Sequence, residues 1–534
     1  MSNHIIQNKK PNKKTPAETL AEFIRFGVFS YVSIMFLLYP LYYQNKYYNM
    51  GEAKYFFFKR LSLSFLILLT LMAITHVFMN RKKIAWKMIW KNSSLTDKFV
   101  AVYAVSVFLS FLLSSYKADA IWGYKGWYMG LVSQMLFVMI YVLVSRYLKC
   151  PVYLLHLICA VSALVFLLAV LHRFQIDPLN MYQDLSMENK ILFLSTIGQA
   201  TWYSSFLCVV FPIGLYLYWS CDTMAVRIIY GCYVALGFAT MVTQNSDSAF
   251  VGFLLMILVL FLTSFCTNEK MRRFLEVLLI GLASMRVIGL LQLRYPEKAV
   301  PLEKLSIFAS QGNVTMILFL VLLVIYSVFL FLSSKRKIRI EHFRKIGIIL
   351  IGMVMATILF MVLCIFLNAR GALPAWLTGL RKFEYFTFDD NWGNGRGFTW
   401  RSAAEIFQEY PIKNKLFGCG PDCFASYAYD RYADTLRAKW GKNVLTNAHN
   451  EWFTSLLFFG ILGFISYLGI FVTQFRTCMK NQTKEPFLIA IAMSIAAYFG
   501  HNFFCYQQIV CTPLIFILLG MGSNLTNKDN RKTH

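Results

Sequence analysis

The chain has 534 residues, of which 58 % are apolar and only 15 % charged, with 49 Phe and 30 Tyr. That balance excludes a water-soluble domain and describes a protein whose surroundings are mostly hydrocarbon. A formal charge of +26 would suit a nucleic-acid binder. Here, however, Lys and Arg are spread over short connections between apolar runs, where they act as a topology signal beside anionic lipid, so no nucleic-acid partner is expected.

Runs approaching the ~20 apolar residues that cross a bilayer recur along the chain. They lie near 26–43, 61–79, 98–114, 127–145, 151–171, 200–219, 225–242, 248–266, 274–293, 314–332, 346–367, 452–475, 486–500 and 503–522. The predicted fold is therefore all-α, a polytopic bundle of about fourteen transmembrane helices. Its parts are a basic cytoplasmic tail at 1–25, a transmembrane region at 26–367, a large extracytoplasmic loop at 368–450, C-terminal spans at 451–522 and a cytoplasmic tail at 523–534. With both termini inside, the densest basic loops, Arg81 to Lys98 and Lys335 to Lys345, fall on the inner face, as the positive-inside rule requires. The first residues are polar, with Lys9, Lys10, Lys13 and Lys14. They read as an inner anchor rather than a cleaved signal peptide, because the apolar run that follows is long enough to remain as a span.

Most of the 12 cysteines sit in or beside the spans at no regular spacing, as small apolar filler. Cys419 and Cys423 fall in the long outer loop, within GCGPDC. A local disulfide or half a metal site is conceivable, but no second Cys/His pair is nearby, which favours a structural role.

The long loop is the part with readable chemistry. After a glycine-rich approach, WGNGRG, the residues Trp400, Ala403, Ala404 and Phe407 recur at helical spacing, with Arg401, Glu405 and Gln408 off the stripe and Pro411 ending the segment. An amphipathic helix on the outer membrane face is predicted. Thr446 and Asn447 then offer side-chain caps to the next helix, which would place His449 in its first turn, where the helix dipole disfavours imidazolium and leaves a ring able to accept a proton. Arg396 and Arg401 carry planar forks of donors suited to phosphate oxygens. A base beside an arginine clamp suits transfer from a lipid diphosphate to a hydroxyl, because fixed cations stabilise the leaving group's negative charge. Taken singly, a His at a membrane interface is more often a polar anchor and an interfacial Arg more often a lipid contact; their shared pattern is what gives them weight.

That pattern resembles the O-antigen ligase and polymerase superfamily, membrane glycosyltransferases that use polyprenyl-diphosphate-linked glycans. The likeness runs from about residue 100 to 522 and is strongest from 396 to 463: Arg396 and Trp400, then Pro411 with Gly418, Gly420 and Phe424, then His449 and Asn450 leading to Gly460 and Gly463. Upstream, SSYKADAIWGYKGWYMGL and STIGQATWYSSFL are similar to the family's early outer loop and to its G-N-x-N-Y segment. One departure stands out. Where many members carry T-x-S-R-S/G-A, this chain reads TQNSDSAFVG, with Asp247 in the arginine's place. Asp247 either caps the helix starting at Ser248 or acts in the site, binding a sugar hydroxyl, orienting His449 or serving as base. A second cation, Arg286 or Arg370, would then hold the diphosphate, with an Arg286 that merely snorkels to the surface as the plainer alternative.

The resemblance implies an enzyme in the cytoplasmic membrane, acting at its extracytoplasmic face in surface polysaccharide assembly. His449 would be the base and Arg396 would steady the leaving diphosphate, while Arg401, Asn450, Trp400, Asp247, Arg286 and Arg370 would contact substrate. The expected partners are an undecaprenyl-diphosphate-linked donor, a glycan, lipid or protein acceptor, membrane lipids and other polysaccharide-assembly proteins. No cofactor and no metal is expected, since residues 44–60 of the first outer loop hold a single acid, Glu52, and the adjacent Asp389 and Asp390, which could bind Mg²⁺, read as a solvated pair on the long loop; inversion at the anomeric carbon follows from in-line attack. A repeat-unit polymerase is the first reading; a glycan ligase or protein O-oligosaccharyltransferase of the same superfamily, or a flippase, are the alternatives.

Overall fold

The computed structural model describes residues 14–80, 90, 93–335 and 337–532. The anchor residues Lys9, Lys10 and Lys13 and most of the basic stretch from Arg81 to Lys98 lie outside them. Every apolar segment read from the sequence overlaps a helix, although the last, 503–522, is helical only from Thr512 onward. These are α1 (Pro16–Ser33, extended by a π turn to Leu38), α2 (Met50–Met79), α3 (Leu95–Leu113), α4 (Leu131–Tyr147), α5 (Val152–Arg173), α6 (Ala200–Ser220), α7 (Met224–Thr243) and α8 (Ser248–Ser264). There follow α9 (Asn268–Arg294), α10 (Asn313–Ser334) and α11 (Arg344–Ala369). The long loop contributes α12 (Trp392–Glu409) and α13 (Phe424–Trp440), and α14 (Glu451–Asn481), α15 (Leu488–His501) and α16 (Thr512–Lys532) complete the chain. The strands among the described residues are a single short antiparallel pair, Phe193–Leu194 with Gly198–Gln199. The protein is thus an all-α polytopic membrane protein.

Among the described residues, ten helices are long and apolar enough to cross a membrane, while α4, α8 and α15 are apolar but shorter. Hydropathy windows do not distinguish a full span from a shorter helix enclosed by its neighbours, and α15 is almost wholly buried. α1 starts at Pro16, well before the apolar run at 26, because Thr15 and Glu18 form a capping box and proline suits the first turn. Basic residues besides Arg286 lie within the apolar helices. Lys54 is buried in α2, donating to the carbonyls of Tyr39 (2.7 Å) and Pro40 (3.0 Å), and Arg173 is buried at the end of α5.

The closest helix pairs are α3 with α14, α4 with α16, and α8 with α15. By contrast α10 and α11 are apolar all round and scarcely covered, as lipid-facing helices at the edge of a bundle should be. α14 is broken at Gly460, whose φ of 65° is open only to a residue without a Cβ strain penalty. The segment after the short helix Ile412–Phe417 docks into this break. A Cβ on Gly460 would lie 2.3 Å from the Leu416 carbonyl carbon. The carbonyls freed by the break are satisfied by the incoming backbone, Cys419 N–H donating to Leu457 (3.0 Å) and Gly420 N–H to Phe458 (3.2 Å). The GCGPDC motif is therefore built into the bundle; both of its thiols are free and buried, consistent with a structural role.

Candidate active site

The histidine of the TNAHNE segment lies outside the helix it precedes. Asn450, not Thr446 or Asn447, is the N-cap of α14, its Oδ1 accepting from Phe453 N–H at 3.0 Å. His449 takes a left-handed conformation (φ 47°), and its N–H donates to Asn447 Oδ1 at 2.8 Å. The cap comes later than the sequence suggested because Asn447 spends its side chain on this tight turn. The imidazole is nevertheless held neutral, for a different reason from the one expected: burial, followed by the charge of Arg396, lowers its pKa to about 4.

Arg396 stands in the first regular turn of α12, directly after a left-handed run at Gly393, Asn394 and Gly395 (φ 58°, 60° and 86°) that redirects the chain. Its guanidinium donates to the carbonyls of Gly393 (2.6 Å) and Phe504 (2.7 Å), while Nε is buried without a hydrogen-bond partner. The rest of α12 follows the expected pattern, with Arg401, Glu405 and Gln408 exposed and Ser402, Ala403 and Ile406 buried, so the covered stripe is centred slightly off the predicted one. Trp400 ties this helix to the histidine turn, donating from Nε1 to the Ala448 carbonyl at 2.9 Å and stacking on Phe504.

Asp247 occupies the N-cap position of α8 but makes no capping bond, so the capping reading fails; Asp247 is itself in helical geometry, which turns its side chain from the free N–H groups. Its carboxylate lies instead in the field of Arg396 and beside Tyr385, and burial raises its pKa. The departure from the family pattern thus falls within electrostatic reach of Arg396.

A cavity of about 1590 Å³ lies close by, lined by Trp400, Phe504 and Asn450 but not by His449, Arg396 or Asp247 themselves. Its walls are apolar along α8 (Val251, Leu254), α11 (Ile358, Val362) and α15 (Phe499), and its rim carries Arg370, Arg401, Lys439, Asp390 and Asn450. Asp390 bridges two of the cations, receiving Arg401 Nη2 at 2.5 Å with Lys439 Nζ at 3.8 Å. Arg370 is exposed at the end of α11, over the Phe366 ring. Arg286 does not share this rim. Its Nη1 donates to the carbonyls of Ser310 (3.2 Å) and Gln311 (2.7 Å) at the end of the short helix Lys304–Gln311, where a cation complements the exposed carbonyls. Among the described residues, no group of three or more His, Cys, Asp or Glu side chains is disposed to hold a metal ion.

Two features escaped the sequence reading. Glu451, next to the cap, is fully buried and accepts from the hydroxyls of Tyr467 (2.5 Å) and Tyr498 (2.9 Å) and from the Asn502 amide. Asn502 in turn receives the Glu451 N–H at 2.9 Å, so a buried carboxylate locks the start of α14 to the end of α15. Beside it, His501 is buried, with Nδ1 2.6 Å from Asn502 Oδ1 and Nε2 without a partner. A second His-Asn pair, GHNFF, was the available signal: it repeats the pair at 449–450.

The fold and site thus define a helical membrane bundle with a large, mostly apolar cavity that carries Arg370, Arg401 and Lys439. Residues 304–468 match the family described as O-antigen ligase, which supports the O-antigen ligase and polymerase superfamily and its membrane function. The match covers the stretch from the short helix Lys304–Gln311 to the middle of α14, including Arg396, Trp400, Arg401 and His449. No curated protein matches the chain.

Proposed function

We propose that this protein is a membrane glycosyltransferase that moves a glycan from a polyprenyl-diphosphate donor to an acceptor hydroxyl at the extracytoplasmic face, as a repeat-unit polymerase. The observation that carries this reading is the cavity, whose apolar walls along α8, α11 and α15 meet Arg370, Arg401 and Lys439 and reach Asn450, the residue after His449. An isoprenoid tail suits the walls and a diphosphate suits the rim.

In the reaction, the acceptor oxygen attacks the anomeric carbon from the face opposite the diphosphate. The bond from that carbon to the bridging phosphate oxygen breaks, the lipid diphosphate leaves with the electron pair, and the acceptor proton passes to the His449 imidazole. Arg401, Lys439 and Arg370, which line the cavity, hold the leaving group's charge, and Arg396 adds its own positive charge from just outside the lining. Arg370 replaces Arg286 as the second cation in this scheme because it faces the cavity. Asp247 adds negative charge within the field of Arg396, Asn447 fixes the turn that presents His449 while Asn450 caps α14 behind it, and Trp400 binds that turn to α12. The reaction needs no metal in this scheme, because the leaving group is already charged and fixed cations meet it.

The test is turnover by purified protein supplied with a defined polyprenyl-diphosphate oligosaccharide. Release of lipid diphosphate with growth of polymer is expected, and His449→Ala should lower kcat by about 10²–10⁴-fold, the contribution of a general base. Unchanged turnover in that variant at equal membrane abundance would refute the assignment.

A further inference from the structure

A cluster of aromatic and polar side chains next to His449 takes no part in the donor cavity. Trp127 and Tyr506 meet edge-to-face at 4.4 Å, and the His449 ring lies 5.2 Å from Tyr506 and 6.5 Å from Trp127, nearly perpendicular to both. Neither aromatic ring lines the cavity. The Tyr506 hydroxyl donates to Gln199 Oε1 at 3.1 Å and receives Trp202 Nε1 at 3.2 Å, while Thr201 also reaches Gln199 Oε1, at 3.0 Å. Trp127, Trp202, Gln199 and Thr201 are all half-buried, so each keeps an accessible part.

The elements carrying this cluster are fixed in place. The turn holding Trp127 is pinned by Asp422, whose Oδ2 accepts from the N–H groups of Tyr124 (2.8 Å) and Met129 (2.9 Å). Gln199 ends the short strand pair and opens α6. A rigid indole with an apolar face, bordered by an amide and a hydroxyl, is the combination that receives a sugar ring: stacking on the carbon–hydrogen face and hydrogen bonds to the ring hydroxyls. A peptide acceptor would call for an extended groove or a sheet edge, and a lipid acceptor for continuous apolar walls.

We propose that Trp127, Trp202, Gln199 and Thr201 form an acceptor subsite for a pyranose ring, on a flank of His449 separate from the donor cavity. The proposal rests on the reading of His449 as the base of a glycosyl transfer and adds to it which side chains hold the acceptor's sugar ring. Donor and acceptor then approach the imidazole from different sides, as attack opposite the leaving group requires.

The test uses full-length protein in nanodiscs and the free oligosaccharide released by mild acid from the host's own lipid-linked repeat unit. Binding is read from quenching of tryptophan fluorescence, and acceptor and donor KM from two-substrate kinetics. Trp127→Ala should raise the acceptor KM by about tenfold, one good aromatic contact, with donor KM unchanged, and should weaken oligosaccharide binding equally; Trp127→Phe should recover most of both. Oligosaccharide binding that depends on Trp127 in a protein without transferase activity would uphold the subsite while refuting the enzyme reading. Normal acceptor KM and binding in the Trp127→Ala, Trp202→Ala double variant, in protein that still turns over donor, would overturn the subsite and leave the enzyme reading standing. Binding of peptides in preference to the oligosaccharide would also overturn it.

Discussion

Replacing Asp422 offers a quantitative check on how the long loop supports the site. The side chain is 2 % exposed, and a single carboxylate oxygen accepts two backbone N–H groups from a turn almost three hundred residues earlier in the chain. Asp422→Ala leaves both donors without a partner, and each buried, unsatisfied N–H costs about 1–3 kcal/mol. Converted at 1.4 kcal/mol per tenfold, the Tyr124 and Met129 amides should exchange with solvent about 5- to 150-fold faster each. Burial pushes the Asp422 carboxyl up to about 8, so its folded-state pKa is above the unfolded value. The neutral form is then the favoured one, its stabilisation present at low pH and lost as pH rises toward 8. Asn, neutral and able to accept at the same point, should therefore restore protection. Hydrogen exchange followed by mass spectrometry on peptides covering 117–131 measures this directly. Unchanged protection in Asp422→Ala, or Asp422→Asn as poorly protected as Asp422→Ala, would refute the reasoning, the latter by showing that negative charge rather than an acceptor holds the turn.

Three further outcomes are expected. With His449 titrating at about 4 in the free protein, kcat/KM should stay level from neutral pH to about 5 and fall below that, while the acid limb of kcat should lie higher, because the bound diphosphate offsets Arg396; a kcat/KM limb at the ordinary histidine value of ~6.5 would contradict this. Asp390→Asn frees Arg401 and Lys439, and since a half-exposed ion pair is worth about 0.2–1 kcal/mol, the donor KM should fall by no more than about fivefold, an effect that salt diminishes; a higher KM would mean that Asp390 itself binds substrate. Arg396→Gln should abolish turnover, whereas Arg286→Gln should leave the donor KM unchanged, its guanidinium being committed to Ser310 and Gln311; a raised donor KM in Arg286→Gln would return that residue to the site.

The fold class was legible because membrane helices are written in hydropathy, and α5, α10 and α11 need nothing else to be found. What hydropathy missed was set by local geometry or by tertiary approach. The start of α1 depends on a capping box, and the break in α14 at Gly460 makes sense only once the backbone at Leu416 is seen against it. In the long loop, motif order singled out Arg396, Trp400 and His449 as candidates, and spacing gave the amphipathic character of α12. The placement of His449 in the first turn failed because Asn447 and Asn450 both suit a cap, and only the three-dimensional turn decides between them. Asp247 misled for a related reason: aspartate before a helix normally caps it, whereas here its backbone is already helical and its side chain makes no capping bond. Glu451 and His501 were overlooked because a lone acid at a helix start reads as a response to the helix dipole and a lone histidine in an apolar run as core. Their pairing through Asn502 joins residues some fifty positions apart, which no local pattern records.

Photo-crosslinking with a polyprenyl-diphosphate oligosaccharide that carries a diazirine on its isoprenoid tail tests the account at its centre. Adducts are expected on the cavity faces of α8, α11 and α15, at residues such as Leu254, Val362 and Phe499, and excess unlabelled donor should compete them away. Competable adducts confined to another surface, such as the groove around Glu276, Tyr218 and Tyr326, would contradict it.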